Sequence, residues 1–142
     1  MPPEPTTPEE IIASLREKET AEPVAGFLGM KLEECSPGYA RVTMPMRPEY
    51  VNFNGMVFGG IVMAIADQAF AYGTNSLLMP NLAVQFNIHL IAAVDASDVL
   101  TAECRVAKSG KRISVSEMTV TNQDGRLVAK ATGTTLYTGS PS

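Results

Sequence analysis

Polar and apolar positions alternate along residues 39–46, placing Ala40, Val42, Met44 and Met46 on one face of a predicted strand. The same period recurs at 82–92, 99–108, 111–121 and 126–138, which predicts four more strands. In the first of these, Val84, Phe86, Ile88 and Leu90 share one face, and Gln85, Asn87 and His89 share the other. Residues 31–35 begin a further strand region, which Ser36-Pro37-Gly38 breaks with a turn or bulge. Ser109-Gly110 and Asn122-Gln123-Asp124-Gly125 supply turns between the later strands.

Two stretches depart from this alternation. Thr7-Pro8-Glu9-Glu10 reads as a helix start, with Thr7 as cap, Pro8 in the first helical position and Glu10 completing a capping box. Ile11, Ile12 and Leu15 form its apolar side, and the pattern fades by Thr20. Residues 21–30, with Pro23, Gly26 and Gly29, read as a loop holding one helical turn.

The second stretch, 56–78, contains one charged residue, Asp67. Apolar residues fall on every side of the helix predicted over 58–78, so that helix is expected to be surrounded by protein. Met79-Pro80-Asn81 stops it. A lone carboxylate in such a setting needs hydrogen bonds or a cleft. Gly59-Gly60 at the start of the helix would let a ligand approach free backbone amides.

The helix followed by an antiparallel meander implies an α+β layer arrangement, one long central helix wrapped by a curved sheet of five to six strands. A single copy leaves part of that sheet and helix uncovered, so self-association is expected. The division is residues 1–20 as an N-terminal tail and short helix, and 21–142 as one folded domain. Residues 1–6, with three prolines, and 139–142 are expected to be tails.

Composition narrows the function. The net charge of −4 argues against non-specific nucleic-acid binding. Cys35 and Cys104 stand alone, which points to two reduced thiols in a cytoplasmic protein rather than to zinc or a disulfide framework. The N-terminus shows no signal-peptide pattern. The stretch 56–79 is long enough for a bilayer. Asp67, Gln68, Asn75 and the glycines within it favour a buried helix instead, with no membrane partner.

Asn52, Gly55, Phe58, Gly59, Gly60 and Asp67 together carry a resemblance. The spacing Asn-x-x-Gly-x-x-His-Gly-Gly, with Asp eight residues after the first glycine of the pair, resembles the hotdog-fold thioesterases of the PaaI-like (phenylacetyl-CoA) family. The likeness extends over 24–138 and includes the turn at 106–112 and the strand at 125–129.

The resemblance implies a hotdog fold and hydrolysis of a small or aromatic acyl-CoA, with no metal or redox cofactor and with coenzyme A only as part of the substrate. It gives Asp67 the role of base or nucleophile, the Gly59 N–H that of oxyanion donor, and Asn52 that of positioning water or substrate. It implies a site between two subunits, hence a homodimer or a dimer of dimers, a homotetramer. Substrate-binding candidates are Phe58, Gly60, Gln68, Ala83, Lys108, Lys111 and Arg112, the last three towards coenzyme A phosphates.

Two positions depart from the family. Phe58 stands where His is usual, and Ala83 stands near a customary Ser or Thr. Both remove polar partners, so a non-catalytic acyl-CoA-binding hotdog protein is the alternative. A hydratase would want an Asp/His pair, and His89, the only histidine, lies on the polar face of a strand. Each candidate also has a bland reading. Asp67 could be a structural acid, Asn52 a loop cap, Phe58 core, and the three cations solvated turn charge.

Overall fold

Thr7 opens the first helix as its spacing predicts. Glu10 N donates to Thr7 Oγ1 at 3.2 Å, and Thr7 N donates to Glu10 Oε2 at 3.2 Å. The computed structural model describes residues 4–139, so the expected tails at 1–3 and 140–142 lie outside the described residues. Helix α1 (Pro8–Thr20) buries Ile11 and Leu15. It is tied to the sheet by Leu32 N, which donates to Glu19 Oε1 at 3.0 Å. The helical turn expected within 21–30 is α2 (Pro23–Leu28), closed by Gly29 at φ 73°.

Six strands follow: β1 (Lys31–Ser36), β2 (Tyr39–Pro45), β3 (Asn81–Leu90), β4 (Val99–Ser109), β5 (Ile113–Thr121) and β6 (Leu127–Tyr137). Their spatial order is β1-β2-β4-β5-β6-β3, and every pairing is antiparallel. The break at 36–38 is therefore a turn joining two paired strands.

The central helix, α3 (Gly59–Asn75), is shorter at both ends than the 58–78 expected. Its C-terminal end is fixed before Pro80 is reached. Asn81 N donates to Asn75 Oδ1 at 2.8 Å, which joins the helix end to the start of β3. Ile65, Ala69 and Phe70 of α3 are fully buried, as are Val42, Leu100 and Ala102 on the sheet face that covers them. Phe70 packs on Gly133 of β6, where a β-carbon would come within 2.5 Å of its ring.

Two expectations are corrected here. The helix is not enclosed on all sides: Met63 is 40% exposed, and Asp67 and Ala71, further along the same stripe, are exposed. The sheet curves around one side of α3 only, and nothing else among the described residues covers this stripe. Nor do Val84, Phe86, Ile88 and Leu90 share one face throughout. The register with β6 shifts between Ala83 and Gln85, which takes Val84, 59% exposed, out of step with Phe86 and Ile88 packed on the core, and Leu90, at the end of the strand, is 52% exposed. β3 is an edge strand, and these exposed side chains lie along its length.

Candidate active site

The segment 51–58 is a tight loop that delivers the start of α3. Asn52 N donates to Met56 O at 2.7 Å, Gly55 N donates to Asn52 O at 3.0 Å, and Val51 bridges Val57. Gly55 sits at φ 80°, which a side chain would strain. The Asn52 carboxamide oxygen accepts from Asn54 N at 2.9 Å and from Met56 N at 3.4 Å. Its oxygen thus caps the loop, and its NH2 group makes no hydrogen bond among the described residues.

Phe58 is the N-cap of α3 and makes no side-chain cap. Its N–H donates to Tyr50 O at 2.8 Å, and Ile61 N donates back to Phe58 O at 2.9 Å. The N–H groups of Gly59 and Gly60 have no hydrogen-bond partner among the described residues. They are orphan donors at the positive end of a helix dipole. A hollow of about 280 Å³ opens there, lined by Asn52, Met56, Gly59, Val62, Leu90 and Ile91. Leu90 Cδ1 comes so close that a β-carbon on Gly59 would lie 2.8 Å away. Phe58 is 58% exposed and lays its ring over Gly60.

Asp67 stands on the uncovered stripe of α3, and no hydrogen bond or ion pair among the described residues engages its carboxylate. The surrounding apolar helix still removes enough solvent to raise its pKa above the usual 3.8. Exposure by area and desolvation of the carboxyl coexist here, because the side chain lies on the surface but against a helix without other charges.

Eight residues separate Asp67 from Gly59, about 12 Å of helix rise at ~1.5 Å per residue. A carbonyl held by the Gly59 N–H of one chain is therefore out of reach of the same chain's Asp67. The structure brings Asn52, Phe58, Gly59 and Gly60 together and leaves Asp67 apart from them.

The other candidates are spread over the molecule. Gln68 is buried, and its Nε2 donates to Glu22 Oε1 at 2.5 Å. Tyr72 OH donates to the other oxygen of Glu22 at 2.8 Å. Burial, and next that bond to Glu22, push the Tyr72 hydroxyl far above its ordinary pKa. Sequence reasoning missed Glu22. The available signal was the four-residue spacing of Gln68 and Tyr72, which puts two hydrogen-bonding groups on one face of an apolar helix.

Ala83 is exposed on β3 and pairs with Thr135. Lys108, Lys111 and Arg112 lie at the β4–β5 hairpin, and none takes part in an ion pair among the described residues. Lys111 and Arg112 line a hollow of about 430 Å³ with Tyr137 and Gly139. Tyr137 pairs with Asn81, at the opposite end of β3 from Leu90, so this hairpin is roughly 30 Å of strand from Gly59 of the same chain.

His89 pairs with Lys130 on the outer face of the sheet, where it borders a hollow with Asn87, Glu117, Thr119 and Thr132. That is the face turned away from Asp67. Burial raises the Cys35 thiol and pushes Cys104 up to about 12, so neither is a ready nucleophile. Among the described residues no cluster of His, Cys, Asp and Glu is arranged to hold a metal. No helix among them is long and apolar enough to cross a membrane.

A family model described as the thioesterase superfamily matches residues 54–129, from the glycine loop into β6. The acyl-coenzyme A thioesterase PaaI of Escherichia coli is 32% identical over 105 residues, 74% of this chain and 75% of that protein. The solved structure of the Escherichia coli PaaI protein from the phenylacetic acid degradation operon superposes with a TM-score of 0.85 at 29% identity, covering 91% of this chain and 95% of that one. A hypothetical thioesterase protein with coenzyme A from Streptococcus pneumoniae superposes with a TM-score of 0.80 at 28% identity, covering 89% of this chain and 98% of that one.

Proposed function

The chain belongs to the thioesterase superfamily, among its hotdog-fold, PaaI-like members, and we propose that it hydrolyses the thioester bond of a small or aromatic acyl-CoA. One observation carries the reading. Among the described residues, the single carboxylate of α3 stands unpaired on the helix's open stripe, while the same helix begins with two unpartnered N–H groups. Those are the two parts that thioester hydrolysis asks of a protein, a base and a polarised carbonyl. The thioesterase name of the Escherichia coli relative and the coenzyme A held by the Streptococcus pneumoniae neighbour support a CoA thioester as substrate.

In the base route, Asp67 takes a proton from water as its oxygen bonds to the thioester carbon. The Gly59 N–H holds the oxyanion that develops. The carbon–sulfur bond then breaks, the proton passes to the leaving coenzyme A thiolate, and the free acid departs. The nucleophile route differs only in that the Asp67 oxygen bonds first and water releases the acyl group. Both need an ionised carboxylate. The Asn52 amide group, beside Gly59 in the hollow, positions water or substrate.

The 12 Å between Asp67 and Gly59, about eight residues of helix, is spanned by two copies. Asp67 of one chain meets the glycine turn of another. The exposed α3 stripe and the apolar β3 edge are the surfaces that such a homodimer would cover, and dimers pair into a tetramer. Lys108, Lys111 and Arg112 contact coenzyme A phosphates. The chemistry uses no metal or redox cofactor, and buried thiols suit a cytoplasmic protein.

Phe58 at the glycine turn favours one rival, a protein that binds acyl-CoA without turnover. A hydrolysis screen over straight-chain and aromatic acyl-CoA thioesters, with Asp67→Asn as control, decides between them. Turnover that Asp67→Asn abolishes supports the thioesterase. Binding with no turnover of any thioester in the screen leaves the rival.

A further inference from the structure

We propose that α2 forms one wall of the acyl-binding site, with Val24 and Phe27 setting acyl preference and Glu22 acting as the positioning residue that holds the wall. The inference rests on the Asp67 site proposed above. A helix of six residues does not hold itself in water, yet α2 is fastened at both ends. At its start, the Glu22 carboxylate accepts from Gln68 at 2.5 Å and from Tyr72 at 2.8 Å. At its end, Arg47 Nη1 donates to Phe27 O at 3.1 Å and Tyr50 OH donates to Leu28 O at 2.8 Å.

The anchored helix turns Ala25 inward at 2% exposure. It turns the opposite way with Val24, 49% exposed, and Phe27, 78% exposed. Three residues apart, those two share a face. A ring that exposed contributes little to the folding of the single chain. Four anchors on a six-residue element hold the pair ready for something outside that chain.

Position identifies the occupant. Gln68 directly follows Asp67 in the chain, and Ala71, one helical turn beyond Asp67, lines a hollow together with Glu22 and Tyr72. The start of α2 is therefore beside the turn of α3 that carries Asp67. From there α2 runs back towards the beginning of α3, because Tyr50 bonds both Leu28 O and Phe58 N. The acyl group is bonded to the carbon that Asp67 acts on, so its first carbons lie beside whatever flanks Asp67. An apolar face at that place suits an acyl group of several carbons or an aromatic ring, and gives an acetyl group little to touch.

The test separates this wall from turnover by measuring binding. In the full chain carrying Asp67→Asn, calorimetric titration with hexanoyl-CoA, benzoyl-CoA and free coenzyme A compares the background with added Phe27→Ala, Phe27→Trp or Glu22→Ala. Phe27→Ala should weaken both acyl-CoA ligands about tenfold, the scale of lost apolar pocket contact, and leave free coenzyme A within about twofold. Phe27→Trp should retain acyl binding, and Glu22→Ala should show the same selective loss, which Glu22→Gln restores in part. Equal weakening of all three ligands, or no change in any, overturns the wall. So does dissociation of the oligomer by Phe27→Ala, because it assigns the ring to a subunit contact. Selective loss, in the case where the parent chain with Asp67 intact hydrolyses no thioester, upholds the wall and overturns only the proposed turnover.

Discussion

Phe58 lays its ring over Gly60 so closely that a β-carbon on Gly60 would come within 2.5 Å of Phe58 Cε2. Phe70 holds the same relation to Gly133, at 2.5 Å from its Cζ. The two contacts differ in what the ring can do. Phe58 is 58% exposed and can swing away, whereas Phe70 is fully buried between helix and sheet. Gly60→Ala should therefore change folding stability by no more than about 1 kcal/mol, the scale of the Gly-to-Ala difference in a helix, while altering kcat/KM. Gly133→Ala should lower stability by about 1–3 kcal/mol through overpacking. Denaturant unfolding of both variants checks the contrast.

Asp67 should set the acid limb of activity. Its carboxyl is held above the usual 3.8 by desolvation, so the limb of kcat/KM should fall at a pH above that value. Asp67→Asn should reduce kcat about 10²-fold or more. Stability should move the other way. A raised folded pKa favours the protonated form, so the folding contribution of Asp67 is fully present below its unfolded pKa and is lost as pH rises through the folded one. Asp67→Asn should thus be as stable as the parent or more so at pH 7, with the difference disappearing under acid conditions. Thermal unfolding against pH measures it. A structural acid would give lower stability and activity reduced only with the folded fraction.

Phe58→His introduces the polar residue that the family resemblance leads one to expect beside the glycine pair. Turnover should rise, or the acyl preference should change. Rates on several acyl-CoA substrates test this, and unchanged rates with all of them would return Phe58 to a packing role.

Lys108, Lys111 and Arg112 should matter only for substrates that carry phosphates. Their joint replacement by Ala should raise KM for acyl-CoA by about tenfold, the scale of one to two charge-assisted contacts. A small thioester lacking the nucleotide should be unaffected. The salt dependence of KM should also flatten. Solvated turn charge predicts no difference between the two substrates.

If Asp67 and the Gly59 N–H act on one thioester, as proposed above, the roughly 12 Å of helix between them calls for a second copy. Light scattering at micromolar concentration should give a dimer or tetramer. A monomer that still hydrolyses acyl-CoA would remove the two-chain site. Mixing Asp67→Asn chains with Asn52→Ala chains should recover activity above either alone, since the mixed dimer holds one intact site if the two residues act across the interface.

The sequence by itself determined the elements and their type. Thr7 and Glu10 announce their capping box because the bonds between them are local. The strands are legible because period-two alternation follows from one buried sheet face. The spacing from Asn52 to Asp67 marked a candidate site through its resemblance, and the family match covers residues 54–129.

Only the tertiary structure decided which side of α3 stays open. A helix apolar all round carries no signal for that choice, and the curvature of the sheet left Met63, Asp67 and Ala71 uncovered. It also turned Gln68 towards Glu22, a partner 46 residues away in the chain. Likewise, α2 is held by Arg47 and Tyr50, residues from another segment. Such contacts depend on where two distant stretches come to rest, and local pattern does not encode that. The α1 helix shows the same limit. Residues 1–20 read as a tail and a short helix with an apolar side at Ile11, Ile12 and Leu15, but the pattern does not say what receives that side, because the surface that buries Ile11 and Leu15 exists only once β1 and α3 have packed together.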